Sequence, residues 1–200
     1  MPCLAIHLAV AKKYLEKHPE ENKEEFILGS IAPDIDLPNI ENYMKVIKDI
    51  NNKNNRHFGE NYRTNNFIEY MKRKVNFNKF FSINDINTSF LRAYFLHLIC
   101  DYYFFGKYIK DDIFKNMSLD EAIKVGYNEY NIITPILIKK YDLEIPKEIK
   151  DLISGKGIGN LKILNESTID KFIEDMSSTD LESEKKQLVI EKNKFESWRW

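Results

Sequence analysis

The stretch FLHLICDYYFF, residues 95–105, most constrains the fold of this chain, because it is apolar enough to be buried and yet carries a histidine and an acid. The pattern predicts the middle of a buried helix. His97 and Asp101 are four positions apart, so they lie one turn apart on the same helix face. A buried carboxylate is costly unless something neutralises it. Arg92, the nearest basic residue on that helix, is nine positions before Asp101, which is more than two turns away.

The N-terminal part of the chain also has the hydrophobic period of helices. Residues 4–17 place their apolar side chains on one stripe and their lysines elsewhere. His18-Pro19 ends this helix, because the residue before a proline avoids the α region. Asn22 is a suitable N-cap for a second helix, which Pro33 stops.

The pattern after Pro33 predicts further helices and no strand. Residues 36–66 are predicted to be irregular, with one short helix in YMKVIKDI. Another helix is predicted at about residues 65–75. The central helix is predicted to start at Asn84 or Asp85 and to run to about Phe105. A capping box of Ser118 and Glu121 then opens a long helix that is kinked near Pro135. Because no run alternates long enough for a strand, the predicted fold class is all-α.

The length of the chain suits one domain. Residues 1–150 are predicted to form a metal-binding helical domain. After the loop SGKGIGN, residues 151–200 are predicted to form a polar helical C-terminal extension packed on the same domain.

Composition excludes several classes of function. The formal net charge is −1 and the pI about 6.5, so no basic field favours nucleic acid or an anionic membrane surface. The two cysteines, Cys3 and Cys100, have no CxxC spacing, which fits a reducing interior. The N-terminus has no basic region before its apolar run, and the most apolar window, residues 90–105, is shorter than the roughly 20 residues that span a bilayer. We therefore predict a cytoplasmic protein without a transmembrane segment or a nucleic-acid partner.

Five residues are candidate metal ligands. The His97/Asp101 pair can present a nitrogen and an oxygen to one divalent ion, or can simply form a hydrogen-bonded pair in the core. His7 lies in an apolar stripe, Asp34 directly follows a helix, and His57 lies in NNRHFGEN. Each alone has an ordinary structural role. Together, three histidines and two aspartates form a hard-ligand set suited to zinc or a similar ion.

Four stretches in this order resemble a known family: AIHLAVAKKYLE, FILGSIAPDI, RHFG and AYFLHLICDYYF. The set is similar to the zinc-dependent phospholipase C family, which includes the N-terminal domain of glycosylphosphatidylinositol-specific phospholipase D. The family's all-helical fold is shared with secreted single-strand nucleases. The resemblance covers about residues 1–105.

The resemblance implies one or two Zn²⁺ ions. Asp34, His57, His97 and Asp101 would hold one ion, and Asp101 would bridge to a second ion that also binds His7. Other divalent metals are possible at such a site.

The chain differs from the family in the ligands of the second and third metal sites. In the secreted enzymes the mature N-terminus completes the second ion, and here Cys3 or Glu129 would replace it. The family's third ion uses histidines downstream, but no histidine follows His97. The third site is therefore absent or built from carboxylates, for which the candidates are Asp111, Asp112, Asp120 and Glu129.

The leading functional prediction is a metal-dependent hydrolase of the phospholipase C/D type acting on a phosphoester. The resemblance implies a small phosphoester or a phospholipid-like substrate, and Asp34 or Asp101 would accept the proton from a metal-activated water. The aromatic side chains around Asp101 could flank an amphiphilic substrate, although aromatics at this spacing more often belong to the core; they are Tyr94, Phe95, Tyr102, Tyr103 and Phe104. The alternative is a non-catalytic helical module with a structural or degenerate metal site, which the missing third-site histidines favour. An HD-domain phosphohydrolase ranks last because no HD doublet occurs, and GKGIG lacks the spacing of a nucleotide-binding loop.

Overall fold

The structure is a computed structural model that describes residues 3–45, 56–59, 67–153, 155 and 159–196. These residues form α-helices and short helical turns and no β-strand, with isolated bridges between Phe58 and Val75 and between Phe105 and Ile109. The prediction of an all-α fold is confirmed. The α-helices are α1 (Leu4–Lys17), α2 (Lys23–Ile31), α3 (Phe67–Arg73), α4 (Phe77–Phe81), α5 (Ser89–Tyr103), α6 (Leu119–Lys140), α7 (Glu166–Ser177) and α8 (Leu181–Glu196).

The first two helices begin and end close to where the sequence predicted. α1 ends before His18-Pro19, and the His18 N–H donates to the Tyr14 carbonyl to close its last turn. Asn22 caps α2, because its side chain accepts a hydrogen bond from the Glu25 N–H at 3.1 Å. α2 ends at Ile31, two residues before the proline.

The start of the central helix differs from the prediction. Thr88, rather than Asn84 or Asp85, is the N-cap of α5, and its hydroxyl accepts from the Leu91 N–H at 3.2 Å. The Asp85 carboxylate instead accepts a hydrogen bond from the N–H of its neighbour Ile86. The short helix α4 was not predicted, since five residues are too few to show a helical period. After α5 the chain makes a π turn, Phe104–Tyr108, whose left-handed φ of +90° falls on Gly106.

The long helix α6 begins as predicted. The Ser118 hydroxyl accepts from the Glu121 N–H and the Glu121 carboxylate accepts from the Ser118 N–H, so the capping box is confirmed. α6 continues past Pro135 to Lys140, and the kink there stays a prediction.

Two predicted features fall partly outside the described residues. The short helix predicted in YMKVIKDI extends over residues 46–50, which the structure does not describe, while a 3-10 turn is formed just before it by Ile40–Asn42. Of the predicted loop SGKGIGN, the residues 154 and 156–158 lie outside the described part.

α5 is the central helix of the core. From Ser89 to Asp101 all its side chains except Arg92 are buried. α2 packs along it, α1 contacts α2, α5, α6 and α7, and Phe172 of α7 meets Phe104 edge to face at 5.0 Å. The division of the chain near residue 150 stays a prediction. Among the described helices, none combines the length and apolar character needed to cross a membrane.

Candidate metal centre

The close approach of α2 to α5 places the first part of the site. A Cβ atom at Gly29 would lie 2.2 Å from the Phe90 carbonyl oxygen, so only glycine allows the two helices to come this near. The contact brings the Ser30 carbonyl within 2.8 Å of Nδ1 of His97. A carbonyl only accepts hydrogen bonds, so Nδ1 carries the hydrogen and Nε2 of neutral His97 keeps its lone pair. This is the usual arrangement behind a metal-binding histidine.

α1 supplies the second histidine. The His7 ring stacks on the His97 ring with centroids 3.7 Å apart and planes 9° apart. Nε2 of His7 lies 3.4 Å from Oδ1 of Asp101. His7 and Asp101 therefore face each other from different helices, although the sequence separates them by more than ninety positions.

Two residues outside the helices complete the cluster. Asp34 lies in the turn after α2, and His57 lies in the described segment 56–59. Nε2 of His57 is 3.6 Å from Oδ1 of Asp34, 3.0 Å from Oδ2 of Asp101 and 3.3 Å from Nε2 of His97. All five predicted ligands thus meet at one place, and we call these residues the His/Asp cluster: His7, Asp34, His57, His97 and Asp101.

The separations within the His/Asp cluster are those of donors around a metal ion. Donors bound to zinc at about 2.0–2.2 Å lie about 2.8–3.6 Å apart at angles between octahedral and tetrahedral. The four nearest nitrogen–oxygen separations between the histidines and aspartates of the His/Asp cluster span 3.0–3.6 Å. Ligand atoms of two triads, His7–His97–Asp101 and Asp34–His57–His97, all lie within 4.8 Å of one another. The two oxygens of Asp101 point to different partners, Oδ1 to His7 and Oδ2 to His57 and His97.

Several of these atoms lie near an imidazole nitrogen but form no well-directed hydrogen bond. Within the described part of the chain, Nε2 of His7, Oδ1 of Asp34 and both oxygens of Asp101 are buried without a hydrogen bond of acceptable geometry. Buried polar atoms are satisfied in the great majority of cases, so orphaned atoms call for an explanation such as an ion. The donor set of the His/Asp cluster therefore fits a divalent metal.

No lysine or arginine forms an ion pair with Asp101 among the described residues. Arg92 instead pairs with Glu21 at 2.5 Å. Burial disfavours the ionised carboxyl, but His97, His57 and His7 hold the pKa of Asp101 well below its usual range. Burial likewise opposes protonation of His97, but Asp101 raises its pKa above the ordinary value. The pKa of His7 falls to about 4, because His7 is buried and lies beside His97.

Other polar residues considered from the sequence have different roles. His18, expected to have no role in the site, lies at the end of α1 with Nδ1 3.1 Å from Glu20. Glu129, a candidate substitute ligand, is buried and accepts four hydrogen bonds from the backbone N–H groups of Lys162, Ile163 and Leu164, so it is a structural acid. The Cys3 sulfur accepts a hydrogen bond from the Thr134 hydroxyl at 3.8 Å.

The predicted carboxylate substitutes for a third site do not assemble in the described structure. Asp112 pairs with Lys115 on the surface and Asp120 is exposed, whereas the surroundings of Asp111 are not described. Among the described residues, no further group of three potential ligands has its ligand atoms within 4.8 Å of one another.

Three of the aromatic side chains near Asp101 belong to the core. Tyr94, Phe95 and Phe104 have no exposed surface, which is the more frequent role of aromatics at this spacing, whereas Tyr102 and Tyr103 are partly buried. The Tyr103 hydroxyl donates to Glu184 of α8 at 2.6 Å. A cavity of about 400 Å³ lies elsewhere, between α1, α2 and residues 143–146, and none of the His/Asp cluster lines it.

Sequence reasoning overlooked the groups that hold the ligands in place. The Ser30 carbonyl carries no sequence signal, because every residue has one. Arg56 offers only its place directly before His57 in RHFG, and its burial is visible only in the structure.

Comparison of the chain with family models, with curated proteins and with solved structures found no match. The resemblance to the zinc-dependent phospholipase C family therefore stays a prediction, and the function is argued from the geometry of the His/Asp cluster.

Proposed function

We propose that this protein is a zinc-dependent hydrolase of the phospholipase C/D type that acts on a phosphoester. The observation that carries the proposal is the His/Asp cluster itself: five buried ligands from four separate parts of the chain, with orphaned nitrogen and oxygen atoms at metal-ligand separations. A cluster of this kind without an ion would leave buried carboxylate oxygens unsatisfied, which is costly.

The ligand arrangement suits one ion or a pair. Asp34, His57 and His97 form one triad, and Asp101 offers its second oxygen toward His7. Imidazole and carboxylate donors in this proportion suit zinc, although other divalent ions share them. A bound ion would lower the pKa of a water ligand and stabilise charge on phosphate oxygens.

The two aspartates have different surroundings and therefore different suggested roles. Asp101 is 1% exposed and faces three imidazoles, which suits a residue that holds its ligand position. Asp34 is the most exposed member of the His/Asp cluster at 8%. Asp34 is thus the better placed of the two to accept a proton from an attacking water.

Metal analysis and a substrate screen test the proposal together. The purified protein should contain zinc or take it up stoichiometrically, and the loaded protein should hydrolyse a p-nitrophenyl phosphodiester, phosphomonoester or phosphocholine ester. Asp34→Asn should retain metal better than Asp101→Asn and should reduce turnover. A protein that neither contains nor binds a divalent ion would refute the proposal.

A second candidate is a non-catalytic module with a structural metal. The observation that favours it is the burial of the site, since no member of the His/Asp cluster is more than 8% exposed. Structural zinc sites have all their positions filled by protein, whereas catalytic sites keep one open. Tight zinc binding with no turnover on any of the three ester classes, and no water ligand detected by X-ray absorption spectroscopy, would select this function.

A further inference from the structure

His57 is the ligand whose position depends least on a helix. His7 and His97 lie inside α1 and α5, but His57 belongs to the segment 56–59, which is not helical. Its carbonyl accepts from the Asn76 N–H at 3.2 Å, and the Gly59 N–H donates to the Lys74 carbonyl at 2.8 Å. These contacts hold the segment to the chain between α3 and α4, but that part of the chain carries none of the other ligands.

Arg56 connects the segment to the ligands. Its guanidinium donates to the Ile35 carbonyl and to the Asp36 carboxylate, in the turn that carries Asp34. Its own carbonyl accepts a hydrogen bond from the Tyr94 hydroxyl at 2.6 Å. Tyr94 lies on α5 three positions before His97. One residue therefore contacts both the Asp34 turn and the ligand-bearing helix α5.

We propose that Arg56 is a positioning residue of the metal centre, which sets the distance of His57 from Asp34 and from His97. The proposal rests on the proposed metal-binding function. Arg56 acts through the Ile35 carbonyl and the Asp36 carboxylate on one side, and through its own backbone carbonyl on the other.

The chemistry of arginine suits this role. The guanidinium is a planar fork that can serve two acceptors at once, whereas the lysine ammonium is a point charge on a flexible stem. Arg56 is only 5% exposed, so its contacts are largely shielded from water, while the Asp36 side chain is 87% exposed. Water therefore screens the charge attraction between Arg56 and Asp36, whereas the directed hydrogen bonds of the guanidinium remain. Loss of the fork would free the Asp34 turn and the His57 segment to move relative to each other.

Arg92 offers a matched control within the same helix bundle. Its guanidinium also joins separate parts of the chain, through two bonds to Glu21 at 2.5 and 2.8 Å and one to the Ile86 carbonyl at 3.1 Å. Neither Glu21 nor Ile86 adjoins a ligand in the sequence. Arg92 lies on α5, five positions before His97, but its guanidinium contacts neither the Asp34 turn nor the segment 56–59. Arg92→Met therefore removes a comparable guanidinium clamp without removing a contact to either of them.

The test compares Arg56→Met, Arg56→Lys and Arg92→Met in the full chain. Zinc affinity is measured by competition with a chromophoric chelator, and ligand geometry by the visible absorption of the Co²⁺-substituted protein. Arg56→Met should weaken zinc binding about tenfold to a hundredfold, as loss of a supporting contact does at other metal sites, and should alter the Co²⁺ spectrum. Arg56→Lys should lie between Arg56→Met and the wild type. Arg92→Met should lower the melting temperature but leave the affinity and the spectrum unchanged.

Unchanged zinc affinity and an unchanged Co²⁺ spectrum in Arg56→Met would overturn the positioning role while leaving the metal centre intact. If Arg56→Met does not fold, Arg56→Lys and Tyr94→Phe decide, and wild-type affinity in both would overturn it equally. An equal loss of affinity in Arg92→Met would show a general effect of stability and would also refute it. If the wild-type protein binds no metal, the proposed function fails and this inference fails with it.

Discussion

Removal of the metal should destabilise the fold, because the ion would satisfy buried atoms that form no well-directed hydrogen bond in the described structure. The perturbation is chelation with EDTA of the purified, zinc-loaded protein. In its metal-free form the protein would have to keep Asp101 and Asp34 close together among imidazoles, with at most a shared proton to neutralise them.

The size of the effect follows from the orphaned atoms. Four of them belong to the His/Asp cluster: Nε2 of His7, Oδ1 of Asp34 and both oxygens of Asp101. An unsatisfied buried polar atom costs about 1–3 kcal/mol, so the set corresponds to about 4–12 kcal/mol. A proton on His97 would recover part of this in the metal-free protein, which favours the lower end. That lower end matches the roughly 4.1 kcal/mol that a ligand contributes at a thousand times its dissociation constant.

Differential scanning calorimetry with and without EDTA measures this difference. For a protein of this size, about 1 kcal/mol shifts the melting temperature by roughly 2–4 °C, so chelation should lower it by roughly 8–16 °C. Added zinc or manganese should restore it. Asp101→Asn should bind no metal and should melt at the same temperature with and without EDTA, whereas the control His18→Ala should behave as the wild type. A wild-type protein that contains no metal and melts identically in EDTA would refute the reasoning.

Three further predictions test the supports of the site. Gly29→Ala places a Cβ 2.2 Å from the Phe90 carbonyl, so it should separate α2 from α5 and lower both stability and zinc affinity; Gly126→Ala, with open space around it, should stabilise the protein by about 0.5–1 kcal/mol. Glu129→Gln weakens the four hydrogen bonds that the buried carboxylate accepts from three backbone N–H groups, so it should lower the free energy of unfolding, measured in urea, by about 2–4 kcal/mol. A loss below about 0.5 kcal/mol, the size typical of surface substitutions, would contradict its structural role. Because the pKa of His97 is raised, its protonated form stabilises the metal-free protein below the ordinary value of 6.5, and this contribution should disappear as the pH rises through the raised value. Urea titrations of metal-free protein across that range should show stability falling with pH, and a flat profile would contradict the assignment.

The sequence determined those features that depend on neighbouring residues. α1, α2 and α6 begin and end close to their predicted positions, because caps and proline act within one helical turn. Three candidate ligands, His7, His97 and Asp101, could also be recognised locally, since a histidine or an aspartate on an apolar helix face is conspicuous wherever it occurs. Asp34 and His57 lie outside the helices and were recognised only from the ordered motifs. α4 and the true start of α5 were not predicted, since five residues show no period and Asn84, Asp85 and Thr88 are all plausible caps.

Only the tertiary structure decided what these residues do together. The sequence could not show that α2 approaches α5 closely at Gly29, and that approach aims His97 through the Ser30 carbonyl. It also could not distinguish Glu129 from a ligand, because its role depends on backbone N–H groups more than thirty positions away. Distances between remote segments arise from packing, for which a single sequence carries no local signal. For that reason the ligand types could be predicted from the sequence, while their arrangement and the contacts of Arg56 required the fold.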